Sequence, residues 1–354
     1  MRKAKKIAGL ILFLGMGFVM FIIISYVLRP RVNGTHRQYF TGFYEAEEES
    51  LNIVTLGSSA VYRYFNNPLL FEEYGLTSYN LATGGQPEQV LESLVDEVHK
   101  TQSPQLFIVE TRQFVAKDKN KEKRKGKVKA AALNRVVDNM NYSWNRISLI
   151  NQTVDGFSNR MEYYFDIIRY HDNWEMLDEE AWEYVDNKLT TRLNGWRNVF
   201  TINEIELPTR NSITDREGLV DSSEEALLSF LEKCKEEDIE VLFVATPWKI
   251  SDDDMKQNNY MGDIIRENGF QFLDCNLLYE EIGLDPKKDF YDSRHTNVWG
   301  SQKFTRYLAE YIQANYQVEG THTDSVLERW NEIIQNNKES MSYGMTLQNG
   351  GTVE

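Results

Sequence analysis

Cysteine is nearly absent from this chain of 354 residues; only Cys234 and Cys275 occur. Two thiols cannot make a disulfide framework or a cysteine-rich metal site. They leave open one bridge or two buried free thiols. Histidine is also scarce, with His36, His99, His171, His295 and His322, so the surroundings of each are informative. Positive charge is in deficit, with 39 Lys and Arg against 54 Asp and Glu. Six of those basic residues lie within residues 1–31, which hold no acid, so the remainder carries 33 against 54, a formal −21. So acidic a remainder is not a general nucleic-acid binder.

One long apolar run is present, at the extreme N-terminus. Arg2, Lys3, Lys5 and Lys6 precede 22 residues, Ile7 to Leu28, without charge or proline. At about 1.5 Å per residue the run spans roughly 33 Å as a helix, enough for a bilayer core. A cleaved signal peptide has a shorter apolar stretch ending at small residues, unlike Tyr26-Val27-Leu28-Arg29-Pro30. The run therefore predicts an uncleaved single-pass anchor in the cell membrane. The stronger basic flank places residues 1–6 in the cytoplasm and everything after the anchor outside it. Residues 29–49 read as a polar stalk.

From residue 50 to 316 short β-branched runs alternate with helical periodicity. The expected strands are Asn52–Leu56, Thr77–Ala82, Leu106–Val109, Glu240–Ala245 and Phe270–Leu273, with helices at Gln86–Lys100, Asp221–Glu237, from Ser251, and at Asn297–Ala314. This alternation predicts an α/β domain, a parallel sheet flanked by helices. Residues from about 116 to 220 break the alternation. They read as a mostly helical insertion, rich in Tyr142, Trp144, Tyr163, Tyr164, Trp174, Trp182 and Trp196, either a cap over the site or an extra packed layer. Lys117 to Lys129, with eight basic and two acidic residues, reads as a solvated loop, with contact to anionic lipid or polymer as the sharper alternative. Asp252 to Asp254 read as a helix start rather than a metal site. Residues 317–354 hold a further amphipathic helix and a polar tail. Asn33, Asn141 and Asn151 stand in Asn-x-Ser/Thr patterns, which matter only in a glycosylating cell.

Ligands of open parallel sheets bind outside the carboxyl ends of the strands. The strands here are followed by Gly57-Ser58-Ser59, by Asn80 to Gly85, by Glu110-Thr111-Arg112, by Thr246-Pro247-Trp248-Lys249, and later by Asp292-Ser293-Arg294-His295. A hydroxyl, a glycine pair, a guanidinium, a carboxylate and an imidazole would converge at one edge. Ser59 is the candidate nucleophile, His295 its base, and Asp292 the group that orients the imidazole. Backbone N–H groups at Ser59 and at Gly84 or Gly85 are candidate oxyanion donors. His99 reads as structural, and His171-Asp172 is a lone pair in the insertion with no partner evident in the sequence.

Taken together these segments resemble the SGNH (GDSL-like) hydrolase superfamily. Leu56-Gly57-Ser58-Ser59 resembles its nucleophile block, Asn80 to Gly85 its glycine block, and Asp292-Ser293-Arg294-His295 its terminal Asp-x-x-His block. The resemblance implies a flavodoxin-like sheet and ester or acyl transfer with no metal and no cofactor. Two positions depart from the commonest pattern. Ser58 replaces the Asp of Gly-Asp-Ser, and Glu110-Thr111-Arg112 stands where Gly-x-Asn-Asp is usual. Arg112 could supply a charged donor in place of the missing amide or pair structurally with an acid such as Glu110; Ser58 and Asn80 are further candidate substrate contacts. With the anchor, these departures resemble the membrane-anchored branch that includes accessory proteins of alginate-type O-acetylation and the D-alanine transfer protein of teichoic acid modification. That branch implies an envelope polysaccharide or teichoic-acid-like polymer as substrate and a membrane-bound O-acyltransferase as partner. The altered third block also motivates a second reading, a catalytically weak scaffold that binds such a polymer.

Overall fold

A computed structural model describes residues 2–29, 34–115, 128–177, 193–320 and 322–348. The expectations for Asn33, Trp182, residues 117–127 of the basic run and residues 349–354 of the tail lie outside the described residues.

The N-terminal run forms one helix, α1 (Arg2–Val27). Its segment Lys3–Ser25 is long and apolar enough to cross a membrane. The side chains from Lys3 to Met20 are exposed, whereas Ser25, Val27, Leu28 and Arg29 are buried against the rest of the chain. The expected polar stalk is different in the structure. Residues Gly34–Tyr44 form α2, and Tyr39, Phe40 and Phe43 enter the core. Their spacing places all three on one helical face, which is why the segment packs rather than dangles.

Strands and helices then alternate. β1 (Ile53–Gly57) leads through α3 (Val61–Tyr64) and α4 (Asn67–Tyr74) to β2 (Ser78–Ala82), then α5 (Leu91–Val98), β3 (Leu106–Glu110) and α6 (Arg112–Val115). The insertion begins with α7 (Ala130–Val137), α8 (Trp144–Thr153), α9 (Phe157–Tyr164) and α10 (Asp166–Tyr170). After it come α11 (Asp221–Glu236), β4 (Val241–Ala245), α12 (Asp252–Glu267) and β5 (Gln271–Asp274). A hairpin of β6 (Phe290–Asp292) and β7 (His295–Thr296) precedes α13 (Val298–Asn315) and α14 (Asp324–Gln348). Ser251 caps α12 by accepting from the Asp254 N–H at 3.1 Å.

The first five strands form a parallel sheet in the order β2-β1-β3-β4-β5. Their sequences are near-continuous apolar runs because both faces are covered. One face presents Val54, Leu56, Phe107, Val109 and Phe243 to α2, α5, α7 and α11. The other presents Ile53, Ile108, Leu242 and Val244 to α3 and α13. Cys234 lies in the first cluster and Cys275 in the second; both thiols are free and buried. The sheet itself separates them.

Among the described residues the helices of the insertion lie in its first part. Residues 193–220 form neither helix nor strand. Their backbone groups are satisfied by other segments: Arg197 N–H donates to Tyr62 O at 2.8 Å, Val298 N–H to Val199 O at 2.9 Å, and Asn203 N–H to Phe290 O at 2.9 Å. External partners take the place of an i to i+4 ladder.

Candidate active site

Parallel register brings the carboxyl ends of β1, β3 and β4 to one edge of the sheet. At the end of β1 the chain turns at Gly57, with φ at +146°. A Cβ there would meet Glu110 Cβ and Val61 Cγ2, each at 2.9 Å, so only glycine fits. The turn presents Ser58 and Ser59. The helix that follows is a single turn, α3, so its dipole adds little at Ser59.

Asp292 and His295 face each other across the β6–β7 hairpin as paired residues. The tight turn, rather than a helical one, brings carboxylate and imidazole together. His295 Nδ1 is 3.0 Å from both Asp292 carboxylate oxygens, and His295 Nε2 is 2.7 Å from Ser59 Oγ. Burial raises the Asp292 pKa, but the hydrogen bond and charge of His295, with the Arg294 N–H at 2.7 Å, outweigh it and hold the carboxyl at about 2. An ionised carboxylate only accepts. Nδ1 therefore carries the hydrogen that Asp292 receives, Nε2 is the acceptor, and Ser59 O–H donates to it.

His295 is pushed below the ordinary histidine range. Burial is the main cause and Arg112 and Arg63 add to it, against the opposing pull of Asp292. The imidazole is thus held neutral, the state a general base requires.

The hairpin is tied down from several sides. Arg112 Nη1 donates to Arg294 O at 2.7 Å, and its Nη2 to Thr246 Oγ1 at 2.6 Å. Lys249 N–H donates to Ser293 O at 2.9 Å, and Thr296 Oγ1 to Arg63 O at 3.0 Å. Asn297 caps α13 through the Trp299 and Gly300 N–H groups at 3.1 and 3.2 Å. Gly300 packs so closely that a Cβ would collide with Asp289 O.

Ser59, Asp292 and His295, expected as one unit, come together. The other candidates are engaged differently. Arg112 lies beside Glu110, whose Oε1 is 3.8 Å from its Nε. Ser58 Oγ donates to the fully buried Glu110 at 3.3 Å. Asn80 Nδ2 donates to Phe65 O at 2.8 Å, away from Ser59. Gly84 and Gly85 form the turn after β2, closed by Gln86 N–H to Thr83 O at 3.1 Å. Gly85 has φ at +65°, the left-handed position such a turn needs. Arg135 Nη1 donates to Gly84 O.

Sequence reasoning gave no role to Tyr62, Arg63, Tyr291 or Trp248. Tyr62 is faced by Arg63, Arg197 and Arg135, although burial dominates and raises its pKa. The Tyr291 ring stacks on His295 with centroids 5.5 Å apart, and the Arg63 guanidinium lies 4.9 Å from the Tyr291 ring centre. Trp248 is approached by Arg112 and Arg294 at 5.4 and 5.1 Å. Spacing from Ser59 could have flagged Tyr62 and Arg63, three and four residues on; the others adjoin residues already singled out. Among the described residues no three His, Cys, Asp or Glu side chains converge as metal ligands.

Compared with known proteins, the chain matches no family model and no curated sequence.

Proposed function

We propose that the protein is a serine-dependent acyltransferase or acyl esterase of the SGNH type. The observation that carries this reading is the hydrogen-bonded series Ser59 Oγ, His295 Nε2, His295 Nδ1 and the Asp292 carboxylate at the carboxyl edge of a parallel sheet. The strand order 2-1-3-4-5 is that of flavodoxin-like sheets, which supports the same reading.

Ser59 Oγ attacks the acyl carbonyl carbon as its proton passes to His295 Nε2. The tetrahedral intermediate collapses, the C–O bond to the donor alcohol breaks, and His295 returns the proton to that oxygen. The acyl-Ser59 ester is then attacked by an acceptor hydroxyl or by water, again with His295 as base. Asp292 holds the ring and balances the imidazolium. Backbone N–H groups at Ser59 and at Gly84 or Gly85 are the donors toward the developing oxyanion in this reading.

The resemblance and α1 together favour O-acylation, with acetyl or D-alanyl groups, of a cell-envelope polysaccharide or teichoic-acid-like polymer. In this reading α1 is a single-pass anchor with the domain outside the cytoplasm, beside a membrane-bound O-acyltransferase. One feature favours the second reading, a polymer-binding scaffold with little catalysis: Ser58, Asn80 and both Nη atoms of Arg112 donate to protein acceptors. Aryl-acetate turnover by the purified protein and by Ser59→Ala separates the two. Turnover abolished by the substitution supports catalysis, and equal turnover by both proteins removes Ser59 from it.

A further inference from the structure

The insertion meets the end of α1 in a way the catalytic reading does not use. Asp166, fully buried at the start of α10, accepts from Arg29 Nε at 3.0 Å, Arg146 Nη2 at 3.0 Å, Arg169 Nη2 at 2.7 Å and Tyr142 Oη at 2.9 Å. Arg29 lies two residues beyond α1. Asn173 Nδ2 donates to Leu28 O at 2.8 Å. Phe165 packs edge-on against Phe21, with ring centres 5.6 Å apart. These contacts clamp α10 and the turn after it to the last two turns of the apolar helix.

Length then fixes depth. Phe21 precedes Leu28 by seven residues, about 10 Å along a helix. The whole run from Ile7 to Leu28 is about 33 Å long, against a hydrocarbon core of about 30 Å. Chain that covers Phe21 to Leu28 therefore lies between the headgroup level and about 10 Å beneath it. Its surface suits that position: Phe157 is 76 % exposed, Trp174 63 %, and Ile168, Met176 and Leu177 are exposed as well. Exposed aromatic and aliphatic side chains of this kind favour the boundary between acyl chains and water.

We propose that residues 157–177 form a second membrane contact, seated in the interface beside α1, which fixes the orientation of the Ser59 site relative to the bilayer. The inference rests on α1 lying in the membrane. The attraction is apolar rather than ionic, because exposed Asp172 and Glu175 are interleaved with Trp174 and Met176. The contact accordingly forms on zwitterionic lipid and is indifferent to salt.

The full-length chain in vesicles of dioleoylphosphatidylcholine, doped with a phosphatidylcholine bearing a photoactivatable diazirine on its acyl chain, provides the test. After irradiation, mass spectrometry should place adducts in residues 157–177 as well as 7–28, equally at low and high salt. The double substitution Trp174→Gln/Met176→Gln should remove most adducts from 157–177 while leaving those in 7–28 and the thermal unfolding unchanged. Adducts confined to 7–28 in folded protein would overturn the second contact alone. Absence of adducts from 7–28 would instead overturn the anchor, and this inference with it.

Discussion

Arg112 donates from Nη1 to the carbonyl of Arg294 at 2.7 Å, joining the end of β3 to the turn that carries Asp292 and His295. The same guanidinium reaches Thr246 at the end of β4 and lies beside the buried Glu110. Arg112 is thus a positioning residue. Arg112→Ala should lower kcat with little change in KM, and Arg112→Lys should restore part of the loss. Arg112→Ala should also destabilise the fold by about 1–3 kcal/mol, because it removes the buried bonds to Arg294 and Thr246. Urea unfolding checks this.

Asp292→Asn should reduce kcat by about 10⁴-fold while the fold persists, because an amide can donate to Nδ1 and stabilise the wrong imidazole tautomer. Steady-state aryl-ester kinetics measure it. A loss below tenfold would mean that Asp292 does not orient His295.

The pH profile of kcat/KM should report His295. Its pKa is lowered, chiefly by burial, and catalysis requires the neutral ring. Activity should therefore be at its plateau at pH 7 and fall as pH drops through a midpoint below 6.5. Asp292, held at about 2, should contribute no ionisation between pH 4 and 8. Asp292→Asn should move the midpoint lower still, since the carboxylate is what raises the imidazole pKa.

The two cysteines should be unreactive in native protein. Burial pushes Cys234 up to about 12 and Cys275 well above its ordinary value, and the reactive species is the thiolate. An aromatic disulfide reagent should find no accessible thiol until denaturant is added, then two. One or none after unfolding would reveal a bridge that the sheet between them argues against.

The sheet was legible because strands buried on both faces are written as unbroken β-branched and apolar runs, as in Ile53-Val54-Thr55-Leu56. Ser59 was legible because strand ends are where side chains of a parallel sheet converge, and Asp292 and His295 because a carboxylate and an imidazole three residues apart can meet across one turn. Three features were not. Tyr39, Phe40 and Phe43 stand in a polar segment too short to show its buried face, so α2 read as a stalk. Residues 193–220 bond to distant segments, and no local periodicity announces that. The side chains of Ser58, Asn80 and Arg112 stand in functional blocks, yet each is aimed by a long-range acceptor, Glu110, Phe65 or Arg294, that sequence order does not reveal.

The central claim is that Ser59 is an activated nucleophile. Fluorophosphonate labelling of the purified full-length protein, with the modified residue located by mass spectrometry, tests it most directly. The account predicts a single adduct on Ser59 that is lost in His295→Ala. A folded protein that takes no label, or takes it elsewhere, would contradict it.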